Sequence, residues 1–290
     1  MNIGLIDVDS HNFPNLALMK LSAHHKTQGD QVEMWLPLKN YDKVYMSKVF
    51  DDTYSHDIDS VIMADEIVKG GTGYDLQNKL PDETEHLYPD YSLYNEDRAI
   101  GFLTRGCPRG CKFCVVGKKE GLKSNKVSDL TEFWNGQKQI VLLDPNITAS
   151  VDCEDLFQDL IDSKAWIDIN QGIDIRCLDD KKADMLNQMK LKILHFAWDN
   201  YEFKTYDLLK QFRPLLKYDS RRLRVYVLTN FDTTHEQDLE RIYKLRELEY
   251  DPYVMIFDKP NAPKQTKEMA RWVNNKFIWR VCEKFEDYQC

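Results

Sequence analysis

Between residues 99 and 257 a short apolar run returns six times, at 99–104, 139–144, 166–170, 193–198, 224–229 and 252–257, and stretches such as 153–163 and 181–190 between them carry helical periodicity. Continuous apolar runs separated by helical patterns mark parallel strands covered on both faces. A closed eight-stranded barrel needs about 250 residues, so the spacing predicts an α/β chain built as an open, partial (β/α)6 barrel. In such folds the loops at the carboxyl ends of the strands carry the reactive groups.

A smaller unit precedes it. Residues 2–8 read as a strand, 15–28 as a helix with Leu16, Leu18, Met19 and Leu21 at helical spacing, and 32–36, 43–46 and 60–63 as further strands. That order predicts a small, truncated Rossmann-like domain. Residues 82–97 are polar and rich in Tyr, Pro and Glu, which reads as a linker or irregular crossing segment. The expected division is therefore 1–95 for the Rossmann-like domain with its linker, and 96–290 for the partial barrel.

Cys107, Cys111 and Cys114 follow the first barrel strand in the run Thr-Arg-Gly-Cys-Pro-Arg-Gly-Cys-Lys-Phe-Cys, a CxxxCxxC spacing. Three thiolates can ligate three irons of a cubane and leave the fourth iron open for chemistry. A zinc site, the alternative for a noncatalytic binding module, wants a fourth Cys or His at short spacing. None occurs in the thirty residues after Cys114. Seven cysteines, sparse and odd in number, do not make a disulfide framework.

The strand-end rule selects further candidates: Asp144 and Asn146 after the second barrel strand, Arg176 after the third, Asp199 after the fourth and Asn230 after the fifth. Arg176 suits a carboxylate through two parallel hydrogen bonds. Asp and Asn at such places also serve as caps and turn formers. Cys177 follows Arg176 and is expected to face the same chamber. Cys153, Cys282 and Cys290 belong to no paired motif.

The cysteine spacing, the Phe before the third cysteine and the strand-then-loop setting resemble the radical S-adenosylmethionine (SAM) superfamily. The phrases Gln-Gly-Ile-Asp-Ile-Arg and Phe-Ala-Trp-Asp, with the N-terminal layer, look like its branch with an N-terminal cobalamin-binding-like domain, including uncharacterised bacterial and bacteriophage members. The resemblance covers the catalytic half well and the first 95 residues loosely. It implies an enzyme whose 4Fe–4S cluster, held by Cys107, Cys111 and Cys114, cleaves SAM to methionine and a 5′-deoxyadenosyl radical that takes hydrogen from a substrate. It also implies SAM contacts from Asp144, Asn146, Arg176, Asp199 and Asn230, and a low-potential electron donor such as flavodoxin. The substrate is left open between a nucleotide or nucleic acid and a peptide.

Cobalamin-dependent methyl transfer is the alternative reaction. Domains of that kind use an Asp-x-His-x-x-Gly loop, and here Asp9-Ser-His11-Asn-Phe-Pro14 places Pro where Gly is expected, although Gly70-Gly71-Thr72-Gly73 resembles the turn that receives the nucleotide tail. The expectation is a layer without cobalamin that covers the barrel mouth.

A net charge of −9 argues against nonspecific coating of nucleic acid, while basic residues cluster at Lys118, Lys119, Lys123 and Lys126 and at Lys217, Arg221, Arg222 and Arg224. No apolar run is long enough to span a membrane, and the first residues lack the basic segment of a signal peptide. A cytoplasmic, reducing setting is expected. Aromatics at helical intervals in 269–279 are expected to pack at the open edge of the barrel.

Overall fold

The computed structural model describes residues 1–10 and 13–288. The first unit comprises β1 (Asn2–Asp7), α1 (Leu16–Thr27), β2 (Gln31–Met34), β3 (Tyr41–Ser47) and β4 (Ala64–Gly70), with all strands parallel in the order β2-β1-β3-β4. Alternation along β1 sends Ile3 and Leu5 to one face, where Leu18 of α1 meets them, and Ile6 to the other, beside Tyr41 and Val44. The fourth strand is Ala64–Gly70 and not 60–63. It hydrogen-bonds to β3 on one side only, so its outer positions carry Asp65, Glu66 and Lys69, and an apolar-run criterion passes over it.

The expected irregular crossing contains α2 (Asp82–Glu85) and a single 3₁₀ turn at Tyr91–Leu93, and it is bonded at both ends. Asp90 accepts hydrogen bonds from Ser22 (2.6 Å) and Lys26 (2.6 Å) of α1, while the Tyr91 hydroxyl donates to the Phe133 carbonyl (2.6 Å) of the second unit. Glu85 pairs with Lys20 of α1 and with Arg105.

The second unit runs through β5 (Ala99–Gly101), β6 (Thr104–Arg105), α3 (Val116–Lys119), β7 (Asn125–Lys126), β8 (Gln139–Leu142), α4 (Cys153–Ser163), β9 (Trp166–Ile169), α5 (Asp180–Gln188), β10 (Lys190–Leu191), β11 (Leu194–Trp198), α6 (Phe203–Phe212), β12 (Leu223–Thr229), α7 (His235–Glu247), β13 (Asp251–Ile256), α8 (Lys264–Asn274) and α9 (Lys276–Val281). Its parallel strands form two hydrogen-bonded sets, β10-β9-β8-β5 and β11-β12-β13. Ile140, Leu142, Ile167 and Ile169 of the first set share one apolar core with Phe196, Val225 and Val227 of the second. The result is the expected partial barrel, with no closed ring of strands among the described residues.

Trp272, wholly buried in α8, packs with Tyr243, Trp279 and Phe285, so the expected packing holds for the two tryptophans, whereas Phe277 is exposed because it lies on the outer face of α9. Among the described residues no helix is long and apolar enough to cross a membrane.

Candidate radical-cluster site

The cysteines lie on one excursion from the barrel. β6 and β7 pair antiparallel, Thr104 opposite Lys126 and Arg105 opposite Asn125, and so close the segment between them into a loop at the carboxyl end of β5. Inside the loop the Cys107 amide donates to the Gly121 carbonyl (3.1 Å), and the Cys114 amide to the Cys111 carbonyl (3.0 Å). Gly106 adopts φ +88°, and a Cβ there would stand 2.2 Å from the Lys123 carbonyl oxygen, so the close approach of the two limbs requires glycine. Arg105, stacked 3.8 Å over the Phe102 ring and paired with Glu85 and Glu120, anchors the entry.

All three loop cysteines are free and half-buried. Burial pushes the Cys111 thiol up, the charges of Asp199, Cys114 and Cys107 push the same way, and Arg176 opposes them, which puts these groups in one electrostatic neighbourhood. Among the described residues no three Cys, His, Asp or Glu side chains converge on a point suited to a single ion. A cubane makes a different demand, because its thiolates bind separate irons. The donor set, three soft thiols on one glycine-shaped loop, fits such a cluster.

Asp144 is wholly buried, and its carboxylate accepts from the Leu103 amide (3.1 Å) and from the Thr104 amide and hydroxyl (2.5 and 2.7 Å). It ties the end of β8 to the point where the cysteine loop begins. Burial raises the pKa of its carboxyl to about 6 against those hydrogen bonds.

Asn146 reaches both the loop and the segment after β9: its Nδ2 donates to Cys107 Sγ (3.4 Å) and to Asp174 Oδ2 (3.2 Å), while its Oδ1 accepts from the Thr148 hydroxyl (3.0 Å). Asp174 is the hub of the site. Besides Asn146 it receives Arg176 Nε (2.7 Å) and Arg109 Nε, and Arg109 Nη2 also meets Cys177 Sγ (3.0 Å). Burial works to raise the Asp174 carboxyl, but the hydrogen bonds from Arg176 and Arg109 outweigh it and hold it below the ordinary range. Arg109 belongs to the cysteine loop itself, so this bridge latches the loop to the segment after β9.

Asp199 follows β11. Burial raises its carboxyl to about 6, with Arg176 and Arg241 acting against the rise. Beneath it the wholly buried Arg241 donates to the carbonyls of Trp198 and Leu228 and pairs with Asp238, joining the ends of β11 and β12. Asn230 adopts φ +62°, and its Nδ2 donates to the Phe257 carbonyl (2.8 Å), so its side chain ties the end of β12 to the end of β13.

The structure therefore gathers Asn146, Arg176 and Asp199 with the cysteines, and occupies Asp144 and Asn230 with backbone. Sequence reasoning missed Arg109 and the hub Asp174, although Asp174 stands in the strand-end phrase that yielded Arg176. It also missed an aromatic ladder across the mouth: Phe113 lies edge-on to Phe231 (5.5 Å), and Phe231 to Phe257 (4.9 Å). Cys153 is buried, and its thiol is pushed up to about 12 by burial, as suits core packing.

In the N-terminal layer, the Asp9 carboxylate accepts from the amides of Val49 (2.9 Å) and Phe50 (2.8 Å). A Cβ at Gly71 or Gly73 would stand 2.3 Å from the Lys48 carbonyl oxygen or 2.1 Å from that of Phe50. The glycine turn is thus packed against the loop after β3. Thr72, within that turn, accepts from Lys119 of α3, which places the layer against the cysteine loop. His11 lies outside the described residues, as does Cys290.

No protein-family model matches the chain. It is 24% identical over 241 residues to a tRNA-2-methylthio-N(6)-dimethylallyladenosine synthase from a Sulfurihydrogenibium species, an alignment covering 71% of this chain and 53% of the relative. The chain thus spans about half the length of the curated relative it matches. Among solved structures it resembles the radical SAM methyltransferase TsrM of Kitasatospora setae with cobalamin and a 4Fe–4S cluster bound, with TM-score 0.65, 11% identity, and coverage of 88% of this chain and 74% of that one. The same enzyme with tryptophan and a SAM analogue matches with TM-score 0.64 and 11% identity, covering 88% of this chain and 72% of that one. That likeness establishes the fold. It includes a neighbour whose structure holds cobalamin, so it lends no support to the expected absence of cobalamin here.

Proposed function

We propose that the chain is a member of the radical SAM superfamily, an enzyme that binds a 4Fe–4S cluster through Cys107, Cys111 and Cys114 and cleaves SAM reductively to begin chemistry on a further substrate. The observation that carries this is the placement of three free thiols on one loop at the carboxyl end of β5, the first of the parallel barrel strands. The chemistry supplied by a bound cluster is one-electron cleavage of SAM.

The residues around the thiols divide the remaining work. Asn146 donates to Cys107 Sγ and would stabilise its thiolate. Arg176, half-exposed and held on Asp174, offers guanidinium N–H groups to the methionine carboxylate. Asp199, whose charge acts on Cys111 and is opposed by Arg176, would accept from an ammonium or a ribose hydroxyl. Asp144 and Asn230 are proposed to shape the site by fixing backbone. The Phe113, Phe231 and Phe257 ladder supplies an apolar wall that limits water around a reactive intermediate.

Anaerobically reconstituted protein is expected to hold about four irons per chain and, with dithionite, to release 5′-deoxyadenosine and methionine from SAM. One zinc per chain and no iron after reconstitution would sink the reading in favour of a noncatalytic metal module.

For the substrate, the tRNA-modifying relative favours a nucleic acid over a peptide. Methyl transfer with cobalamin is the second reading, favoured by the parallel four-stranded layer that precedes the barrel. We place it second because the loops at the carboxyl ends of β1, β3 and β4 are bonded to one another through Asp9, Lys48 and the Gly71–Gly73 turn. Protein incubated with hydroxocobalamin and desalted is expected to keep no cobalamin absorbance. Stoichiometric retention would promote the second reading.

A further inference from the structure

The cysteine loop has a charge opposite to that of the rest of the protein. Residues 103–128 contain seven Lys or Arg and one acidic residue, Glu120, in a chain whose net charge is −9. The pairing of β6 with β7 keeps this segment together as one excursion at the barrel mouth. Several of its cations have local partners: Arg105 with Glu85 and Glu120, Arg109 with Asp174, and Lys126 with Asp129. Lys112, Lys118 and Lys123 are exposed, and no ion pair is recorded for them among the described residues. Three exposed, unneutralised lysines therefore share the loop segment of the cysteines on an acidic protein.

The other basic stretch is placed differently. Lys217, Arg221 and Arg222 precede Leu223, the first residue of β12, so they stand at the amino ends of the strands, away from the cysteines. Arg221 pairs with Asp219, and Arg224 with Asp251. Only the first basic cluster shares the mouth with the reactive centre.

The mouth also carries the aromatic ladder. Phe113 stands between Lys112 and Cys114, Phe231 and Phe257 follow β12 and β13, and Phe257 is 40% exposed. Cations that track a phosphate backbone beside an aromatic face that receives an unstacked base are the paired elements of single-strand recognition. A peptide needs no such cluster of unpaired lysines.

From this juxtaposition we infer that the cysteine-loop face is a nucleic-acid docking surface: Lys112, Lys118 and Lys123 hold the phosphates of a single-stranded or looped segment, and Phe257 stacks one of its bases at the mouth. The inference rests on the catalytic reading for its purpose, but the binding it asserts is measured without turnover.

The test uses the full, anaerobically reconstituted chain with bulk tRNA and, separately, a 20-nucleotide single-stranded DNA as probes, titrated across salt concentrations. Binding by either supports the inference, and the stronger probe identifies the source of the phosphates. The Lys112→Gln/Lys118→Gln/Lys123→Gln variant is expected to lose on the order of tenfold in affinity near 0.1 M salt, and its log K against log salt slope to fall by about 2 to 3. Phe257→Ala is expected to weaken binding severalfold without changing that slope. Lys217→Gln/Arg221→Gln/Arg222→Gln is expected to bind as the unaltered protein does. Protection of Lys118 and Lys123 from reductive methylation by bound tRNA supplies a check that needs no variant.

Absence of binding by the unaltered protein, or equal loss from the two triple variants, overturns the inference. If the first triple variant keeps full tRNA affinity but loses reduction by flavodoxin while dithionite still works, the face serves an acidic electron donor and the inference is likewise overturned. Iron content of the unaltered protein, measured in the same samples, reports separately on the catalytic reading.

Discussion

The two halves of this chain use parallel strands alike and finish them differently. In the first layer the loops at the strand ends satisfy one another: Asp9 binds the amides of Val49 and Phe50, and the Gly71–Gly73 turn lies against the Lys48 and Phe50 carbonyls. Lys48, almost wholly buried, is paired with Asp52 and Asp57 and lies 4.7 Å from the centre of the Tyr74 ring. In the barrel half the polar groups instead frame three thiols. Asp144 fixes the root of the cysteine loop, Asp174 latches its middle through Arg109, and Asn146 touches Cys107. The contrast shows that a strand-end position supplies opportunity only. Whether a site results depends on whether the local hydrogen bonds are spent on closing the loop or on holding it open around side chains.

The largest effect should come from the thiols. Cys107→Ala, Cys111→Ala and Cys114→Ala are each expected to abolish stable iron binding and SAM cleavage, because two protein thiolates do not retain the cluster. Cys153→Ala should keep its iron. Turnover surviving in any one of the first three would break the ligand assignment.

On the other side of the comparison, Gly73→Ala pushes a Cβ to 2.1 Å from the Phe50 carbonyl. A loss of about 1–3 kcal/mol in urea unfolding is expected, as for other overpacking changes, with iron content unchanged. A neutral result would show that the closed turn is not a rigid feature of the layer.

Asp174→Ala should cost less, about 1–2 kcal/mol, because solvent at Arg109 and Arg176 screens the charges it leaves behind. Its distinguishing readout is faster proteolytic cleavage within residues 107–114 of the metal-free chain. Unchanged cleavage would remove the latch from the account.

The last effect is a pH dependence, small at any one pH and cumulative across the range. Burial places the folded Asp144 carboxyl at about 6, above its ordinary 3.8. The unfolded chain therefore loses this proton first, and the contribution is fully present below about pH 3.8 and lost as pH rises through 6. Raising the pH from 4 to 6.5 should cost the unaltered protein more stability than Asp144→Asn, by at most about 1.4 kcal/mol per pH unit. Parallel pH profiles would contradict the burial of that charge.

Much of this was legible beforehand. The six barrel strands announce themselves because strands covered on both faces must be apolar throughout, as at Ile140, Val141 and Leu142. Strand β4 escaped because an edge strand bonded on one side can carry Asp65, Glu66 and Lys69 toward water. Asp144 and Asn230 were picked for their positions, but position does not reveal that nearby amide and carbonyl groups already engage them.

The sequence by itself determined the parallel α/β architecture and the placement of Cys107, Cys111 and Cys114 at a strand end, because periodicity and spacing are local properties of the chain. Only the tertiary structure decided which polar groups face those thiols. Arg109 and Asp174 are 65 residues apart, as are Cys107 and Asn146 by 39, and Phe113 meets Phe231 only when the barrel brings their loops together. Such contacts depend on how strands stack and loops cross, and a donor or acceptor in the chain carries no mark of the partner that folding will bring to it.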